Sequence, residues 1–253
     1  FGISPHYLSL MDYRPGGEAD YAVRAQVIPD LHYIGKIHRM KQDSINKADF
    51  MSECDTSPID GVTRRYPRIV IFKPVYTCPQ ICVYCQRNWQ IEDVFSKHAV
   101  MPKSKMEAAI DWVNRTDDIN EILITGGDPF ILSANRIAYL LRRFSAMKHI
   151  ERIRLGTRTF VTVPQRITDR LADTIARYHK PGRREILMVT HIEHPYEITP
   201  DTMEAVQKFR RRAISVNNQL VYTFYVSKRF EAVALRHWLR QIGITPYYTF
   251  NTK

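Results

Sequence analysis

The chain has 253 residues, 44% hydrophobic and 25% charged, an ordinary balance for a globular protein with a real core and a length that one large α/β domain can use. No apolar run approaches the roughly eighteen residues of a membrane span, and nothing in these residues resembles a signal peptide. The net charge of +11 raises a nucleic-acid partner, but the basic residues fall in scattered pairs and triplets such as Arg142-Arg143, Arg183-Arg184 and Arg210-Arg211-Arg212. That distribution suits solvated helix surface better than one binding stripe, and a basic interior would suit anionic cofactors and carboxylate substrates.

Residues 1–68 show weak periodicity and several turn signals, among them Pro15-Gly16-Gly17 and Ser57-Pro58. They are expected to form an N-terminal extension packed on the main domain. From residue 69 the pattern becomes regular. Short apolar, β-branched runs at 69–75, 119–125, 150–155, 186–190, 219–226 and 245–250 read as six strands. Amphipathic helical stretches fall between them at 103–113, 134–147, 166–178, 200–209 and 230–242. Thr168-Asp169 and Thr199-Pro200 are plausible helix starts, since threonine can cap free amides and proline suits the first helical position. Strand–helix alternation implies a parallel sheet with helices outside it. Periodicity leaves a doubly wound sheet and a barrel open. The suspicious residues, however, all follow strands: a cysteine loop after the first, Gly126-Gly127-Asp128 after the second, Arg158 after the third and His191 after the fourth. Functional residues at the C-terminal ends of strands favour a barrel, closed or partial. The chain begins without methionine and stops just after a strand-like run, so it reads as a piece of a longer polypeptide with a C-terminal part missing.

Three of the four cysteines, Cys78, Cys82 and Cys85, form the run CPQICVYC; Cys54 is left over as a lone thiol. Three thiolates this close can hold three irons of a [4Fe–4S] cluster and leave the fourth open. A zinc site usually adds a fourth Cys or His at short spacing, and no histidine lies within ten residues of the triplet. So few cysteines argue against a disulfide scaffold and for a reducing cytoplasm. In Gly126-Gly127-Asp128, glycines would let a ligand approach the backbone and the carboxylate could accept from an ammonium.

The C-x₃-C-x₂-C spacing is similar to the signature of radical S-adenosylmethionine (SAM) enzymes. The ordered segments TRRYPRIVI, TCPQICVYCQRNW, ILITGGDPFIL, RLGTRTFVTVPQRIT and THIEHPYEIT resemble, over roughly residues 50–253, the lysine 2,3-aminomutase family within that group. The resemblance implies an α/β fold, a partial (βα)6 TIM-like barrel of the radical SAM type spanning 69–253 with the N-terminal extension outside it. It implies a [4Fe–4S] cluster on Cys78, Cys82 and Cys85, SAM, and pyridoxal 5′-phosphate. Such enzymes form a 5′-deoxyadenosyl radical and shift an amino group from Cα to Cβ of an amino acid. By the same resemblance Tyr84, Gly126, Gly127, Asp128, His191 and Gln219 line the SAM pocket. Arg65, Tyr66 and Arg158 clasp pyridoxal phosphate, where guanidinium groups offer permanently charged, forked donors. Arg87 pairs with the substrate α-carboxylate. An external electron donor and a homo-oligomer are expected, with no membrane or nucleic-acid partner.

Two departures matter. The family's pyridoxal-binding lysine lies beyond residue 253, so the catalytic lysine has no counterpart in these residues. Lysine-specific members carry an aspartate where Lys253 stands; a lysine there would repel an ε-ammonium and attract a carboxylate. Glutamate is therefore the expected substrate. The rivals are lysine as substrate, a radical SAM enzyme that modifies RNA or protein, and a non-catalytic iron–sulfur or zinc protein.

Overall fold

The computed structural model describes residues 2–43, 49 and 51–251. Its centre is one seven-stranded sheet in sequential order, β1 (Val62–Tyr66), β2 (Ile69–Val75), β3 (Glu121–Gly126), β4 (Arg152–Gly156), β5 (Glu185–Thr190), β6 (Ser215–Tyr222) and β7 (Ile244–Asn251). Strands β2 to β7 are parallel, and β1 is antiparallel to β2. The sheet curls into a half-barrel. Six parallel strands agree with the expected partial barrel, while β1 adds a seventh from inside the stretch assigned to the extension. The charged VTRRY sequence hides it: only Val62 and Thr63 are buried, so no apolar alternation marks the strand.

The strands alternate between two faces, as the pleat requires. Phe72, Ile122, Ile124, Ile153, Leu155, Ile186 and Met188 face outward into the main core, where α4 (Lys103–Asn114), α5 (Ala134–Ala146), the short α6 (Thr159–Thr162), α7 (Asp169–Ala176), α8 (Pro200–Arg210) and α9 (Glu231–Gln241) pack. Phe72 meets Phe144 of α5 edge-on with centroids 4.9 Å apart. The intervening residues, including Lys73, Glu121 and Arg154, therefore face the inside of the half-barrel. Thr168 caps α7 by accepting from Leu171 N, and Thr199 caps α8 by accepting from Thr202 N, as the sequence suggests. The fifth strand of the parallel set, β6, covers 215–222, not 219–226. The polar pair Asn217-Asn218 obscures its start, and Asn218 is buried because its amide brackets the backbone of Ile192, accepting from the N–H at 2.7 Å and donating to the carbonyl at 2.9 Å.

The basic clusters are largely tethers. Arg143 pairs with Glu107 and Asp111, Arg184 donates to the Ser145 carbonyl, and Arg212 bridges Asp169 and Asp173. No helix among the described residues is long and apolar enough to cross a membrane.

The extension contributes α1 (Pro5–Leu8), α2 (Glu18–Ala25) and α3 (Leu31–Asp43). It grips the loop after β2: Ile81 N–H donates to the Gly2 carbonyl, Val83 N–H to that of Gln26, and the Tyr33 hydroxyl to that of Val83. Tyr7, Val23 and Val27 form its own small core. Asp20, fully buried, accepts from Asp12 N at 2.8 Å and from Arg24 Nε at 2.7 Å. Burial opposes its ionisation, but these donors outweigh burial and hold the carboxyl below the usual aspartate value of 3.8. A depressed folded-state value means stability that is fully present above the unfolded value and lost as pH falls through the folded one. The extension is thus expected to lose stability below about pH 4, whereas an Asp20→Asn variant, which lacks this titration, should be less stable at neutral pH and show a shallower acid dependence. Hydrogen exchange of the α2 amides against pH measures this; an identical acid profile in the variant would contradict it.

Candidate active site

The long loop after β2 carries Cys78, Cys82 and Cys85 at the C-terminal ends of the strands, all free thiols and all half-buried. Burial pushes the Cys85 thiol up to about 11, with Cys82 adding to it, and pushes Cys78 well above the thiol range, with Asp128, Cys85 and Cys82 adding to that. The three sulfurs thus lie within electrostatic reach of one another. Yet no group of three Cys, His, Asp or Glu among the described residues is close enough to hold a single metal ion. Three thiols this close suit the three-cysteine ligation of an iron–sulfur cluster.

The loop is docked by backbone contact with the Gly-Gly-Asp turn after β3. Gly127 N–H donates to the Val75 carbonyl at 2.7 Å and Asp128 N–H to the Thr77 carbonyl at 3.0 Å. A Cβ on Gly127 would stand 2.1 Å from the Thr77 carbonyl oxygen, so glycine is required for the approach. Gly126 has φ of +108°, a conformation that favours glycine. What approaches this turn is the cysteine loop itself, where the sequence suggested a ligand. Asp128 also differs from expectation. Its carboxylate accepts from Phe130 N, Thr157 Oγ1, Arg158 N and Thr159 Oγ1, all within 3.0 Å, so the acid staples the β3 turn to the β4 turn and is already saturated.

Arg158 is turned toward the cysteines. Its Nη1 donates to Cys82 Sγ at 2.8 Å, Nη2 to Glu197 Oε1 at 2.5 Å, and Nε to the His191 carbonyl at 3.2 Å. Its guanidinium lies 5.3 Å from the Tyr7 ring and 5.5 Å from the Tyr84 ring. Glu197 is fully buried; beside Arg158 it accepts from the Tyr7 hydroxyl at 2.6 Å and from Glu193 N and His194 N. Arg65 and Tyr66, its expected partners on pyridoxal phosphate, lie elsewhere. Tyr66 pairs with Ile69, the first residue of β2, so both sit at the end of the sheet opposite the cysteine loop; Arg65 is exposed and Tyr66 is 64% exposed. The three residues are not gathered into one clasp.

His191, half-buried after β5, faces Glu193 with Nδ1 and Oε1 3.6 Å apart, and both atoms are buried without a hydrogen-bond partner. Tyr84 Oη is likewise buried and unpartnered. Orphaned polar atoms around the cysteines mark where a polar ligand would dock. Gln219 sits half-buried within β6. Lys253 lies outside the described residues.

Arg87, two residues past Cys85, is 8% exposed and forked onto Glu53, with Nη2 2.7 Å from Oε1 and Nε 3.2 Å from Oε2. Lys73 Nζ meets the same Oε2 at 3.2 Å. Burial works against charge on Glu53, but Arg87 and Lys73 outweigh it and hold the carboxyl below its usual range. Burial pulls the Lys73 ammonium down, against the pull of Glu53. Lys73, Glu53, Glu193 and Glu197 did not stand out as site residues in the sequence, although a lysine inside the apolar run IVIFKPV was a visible anomaly. A hollow of about 740 Å³ lined by Glu151, His179, Arg183 and Arg184 lies at the far end of the sheet and has no part in this chemistry.

A half-barrel whose first parallel strand leads into a three-cysteine loop, braced by a glycine turn on the next strand, defines a radical SAM protein. The chain belongs to the radical SAM superfamily, whose pattern matches residues 72–226. Enzymes of this superfamily use a [4Fe–4S] cluster and SAM. The fold is similar to that of anSMEcpe with bound AdoMet, with a TM-score of 0.53 and 14% identity over 73% of this chain and 51% of that one. In sequence the chain is 50% identical to an uncharacterised KamA family protein of Methanocaldococcus jannaschii, covering all of this chain and 40% of the relative. It is 32% identical to glutamate 2,3-aminomutase of Clostridioides difficile, over all of this chain and 56% of that enzyme. It is 33% identical to L-lysine 2,3-aminomutase of Bacillus subtilis, over 98% of this chain and 49% of that enzyme. The chain thus spans about half the length of the curated relatives it matches.

Proposed function

We propose that the chain is the SAM-cleaving part of an amino acid 2,3-aminomutase that acts on glutamate and depends on pyridoxal phosphate, the cofactor of its lysine 2,3-aminomutase relatives. The observation that carries this reading is Arg87: a buried guanidinium held rigidly inside the barrel mouth, two residues from a cluster cysteine, where it can orient a substrate carboxylate beside the radical source. Cys78, Cys82 and Cys85 would hold the cluster. With SAM bound and an external electron donor, the cluster would supply the one electron that cleaves SAM to a hydrogen-abstracting radical. The chain's own residues do the rest of the visible work. Arg158 donates to a cluster sulfur and spreads positive charge next to it. The α1 and α2 contacts cover the cysteine loop and limit water access, which protects a reactive intermediate. His191 and Glu193 offer polar atoms to the bound SAM. Because Arg65, Tyr66 and Arg158 are not gathered, no step is assigned to pyridoxal phosphate on these residues.

Glutamate is favoured over lysine by Lys253 in place of an aspartate. An RNA- or protein-modifying reaction is disfavoured by the way Arg143, Arg184 and Arg212 are consumed in internal tethers. The test is an anaerobic assay of the parent-length protein reconstituted with iron, sulfide, SAM, pyridoxal phosphate and a reductant, offered L-glutamate and L-lysine together. β-Glutamate is the expected product by mass spectrometry. β-Lysine alone would overturn the substrate, and SAM cleavage without either β-amino acid would overturn the aminomutase reading.

A further inference from the structure

Lys73 is the only lysine buried among the described residues, and nothing in its strand explains it: its neighbours Phe72 and Pro74 are buried as well. An ammonium has three donors. Lys73 uses one, at 3.2 Å to Glu53 Oε2, and has no other partner among the described residues. Arg87 spends Nε and Nη2 on Glu53 and leaves Nη1 without one among the described residues. Two buried cations therefore share one carboxylate, which leaves a net positive charge and a set of unspent donors on the inner wall of the half-barrel. Such a charge is costly to bury unless something completes it. The lysine lies beside the glycine turn that braces the cysteine loop, since a Cβ on Gly126 would lie 2.9 Å from Lys73 Cβ. The missing element is an anion with at least two acceptor oxygens.

We propose that Lys73 acts with Arg87 as a joint binding site for the substrate α-carboxylate, with Glu53 as the fixed counter-anion that sets the spacing of the two cations. One oxygen of the carboxylate accepts from Arg87 Nη1 and the other from Lys73 Nζ, so that the triad becomes a neutral group of two cations and two carboxylates. Glu53 is then a positioning residue: it orients the guanidinium from behind and leaves its free edge facing the barrel. The proposal rests on the aminomutase reading for the identity of the carboxylate, but it can be tested separately from turnover.

The test compares wild type with Lys73→Met and Lys73→Arg as reconstituted holoenzyme, using calorimetric binding of three probes: L-glutamate, L-2-aminobutyrate, which keeps only the α-carboxylate, and 4-aminobutyrate, which keeps only the distal one. Lys73→Met leaves Glu53 paired with Arg87, so the fold has a counter-ion for each remaining charge. The affinity for L-glutamate and L-2-aminobutyrate should fall about ten- to a hundredfold, the loss expected for one charge-assisted hydrogen bond, while that for 4-aminobutyrate stays unchanged. Lys73→Arg should recover most of the loss. A loss confined to 4-aminobutyrate and L-glutamate would put the distal carboxylate at Lys73 and overturn the assignment. A lowered melting temperature with unchanged affinities would show a purely structural lysine and overturn it too, as would wild type that binds neither L-glutamate nor L-2-aminobutyrate. Failure of the aminomutase reading is recognised separately, by probe binding with the predicted pattern but no β-amino product from wild type.

Discussion

Replacing Glu197 by alanine is expected to cost about 3–5 kcal/mol of stability, the range for breaking a buried ion pair by removing one partner. The fully buried carboxylate answers the Arg158 guanidinium, the Tyr7 hydroxyl and two backbone amides of the β5 loop at once. Its loss leaves the Arg158 charge in the interior beside Cys82 with no carboxylate partner, and frees α1 from the barrel. Glu197→Gln should be milder, because an amide oxygen still accepts from the backbone or from tyrosine but carries no charge to balance arginine. Given the 5–15 kcal/mol typical of a folded domain, the alanine variant should melt far below wild type or fail to fold. Denaturant unfolding of both variants checks this. A cost below about 1 kcal/mol for Glu197→Ala would mean that Arg158 finds another partner, and that the network does not hold the extension to the cysteine loop.

Gly127→Ala is expected to abolish cluster assembly while leaving the helices and most of the sheet in place. The added methyl would stand 2.1 Å from the Thr77 carbonyl oxygen and 2.5 Å from its amide nitrogen, both backbone atoms that cannot swing aside. The turn must then part from the cysteine loop, giving up the Gly127–Val75 and Asp128–Thr77 hydrogen bonds. Overpacking of this kind commonly costs 1–3 kcal/mol, and two lost backbone bonds raise the total to about 3 kcal/mol or more. Because Cys78 is the next residue after Thr77, the strain falls directly on a cysteine proposed to hold the cluster. Iron content and the charge-transfer absorption of the reconstituted protein are the direct readouts, with circular dichroism as the control for the fold. A variant that still takes up a full complement of iron would show that the loop can dock without this contact.

The local sequence was enough to show the parallel strands, the threonine helix caps and the cysteine triplet, because each is written in short-range patterns: β-branched apolar runs, a capping residue before a helix, thiols four and three residues apart. Placing the suspicious residues after successive strands also pointed to the barrel, since a βα repeat sends every such loop to one end. Charged β1 escaped that reading because its place is set by pairing with β2 and not by its own hydrophobicity. Strand β6 slid by four residues for a related reason: Asn218 is buried for a long-range bond to Ile192, which no local pattern records. The roles of individual polar residues depended on tertiary structure most of all. Arg158 and Asp128 were visible as candidates, but whether a guanidinium faces a phosphate or a sulfur, and whether a carboxylate is free or saturated, depends on donors that arrive from other strands. Lys73 and Glu53 are twenty residues apart and acquire meaning only when the fold brings both against Arg87. Sequence alone determined the class of chemistry, through the spacing of three cysteines. Only the folded chain decided which charges are spent on holding the barrel together and which remain for a ligand, because in a low-dielectric interior each charge is defined by the partners packed around it.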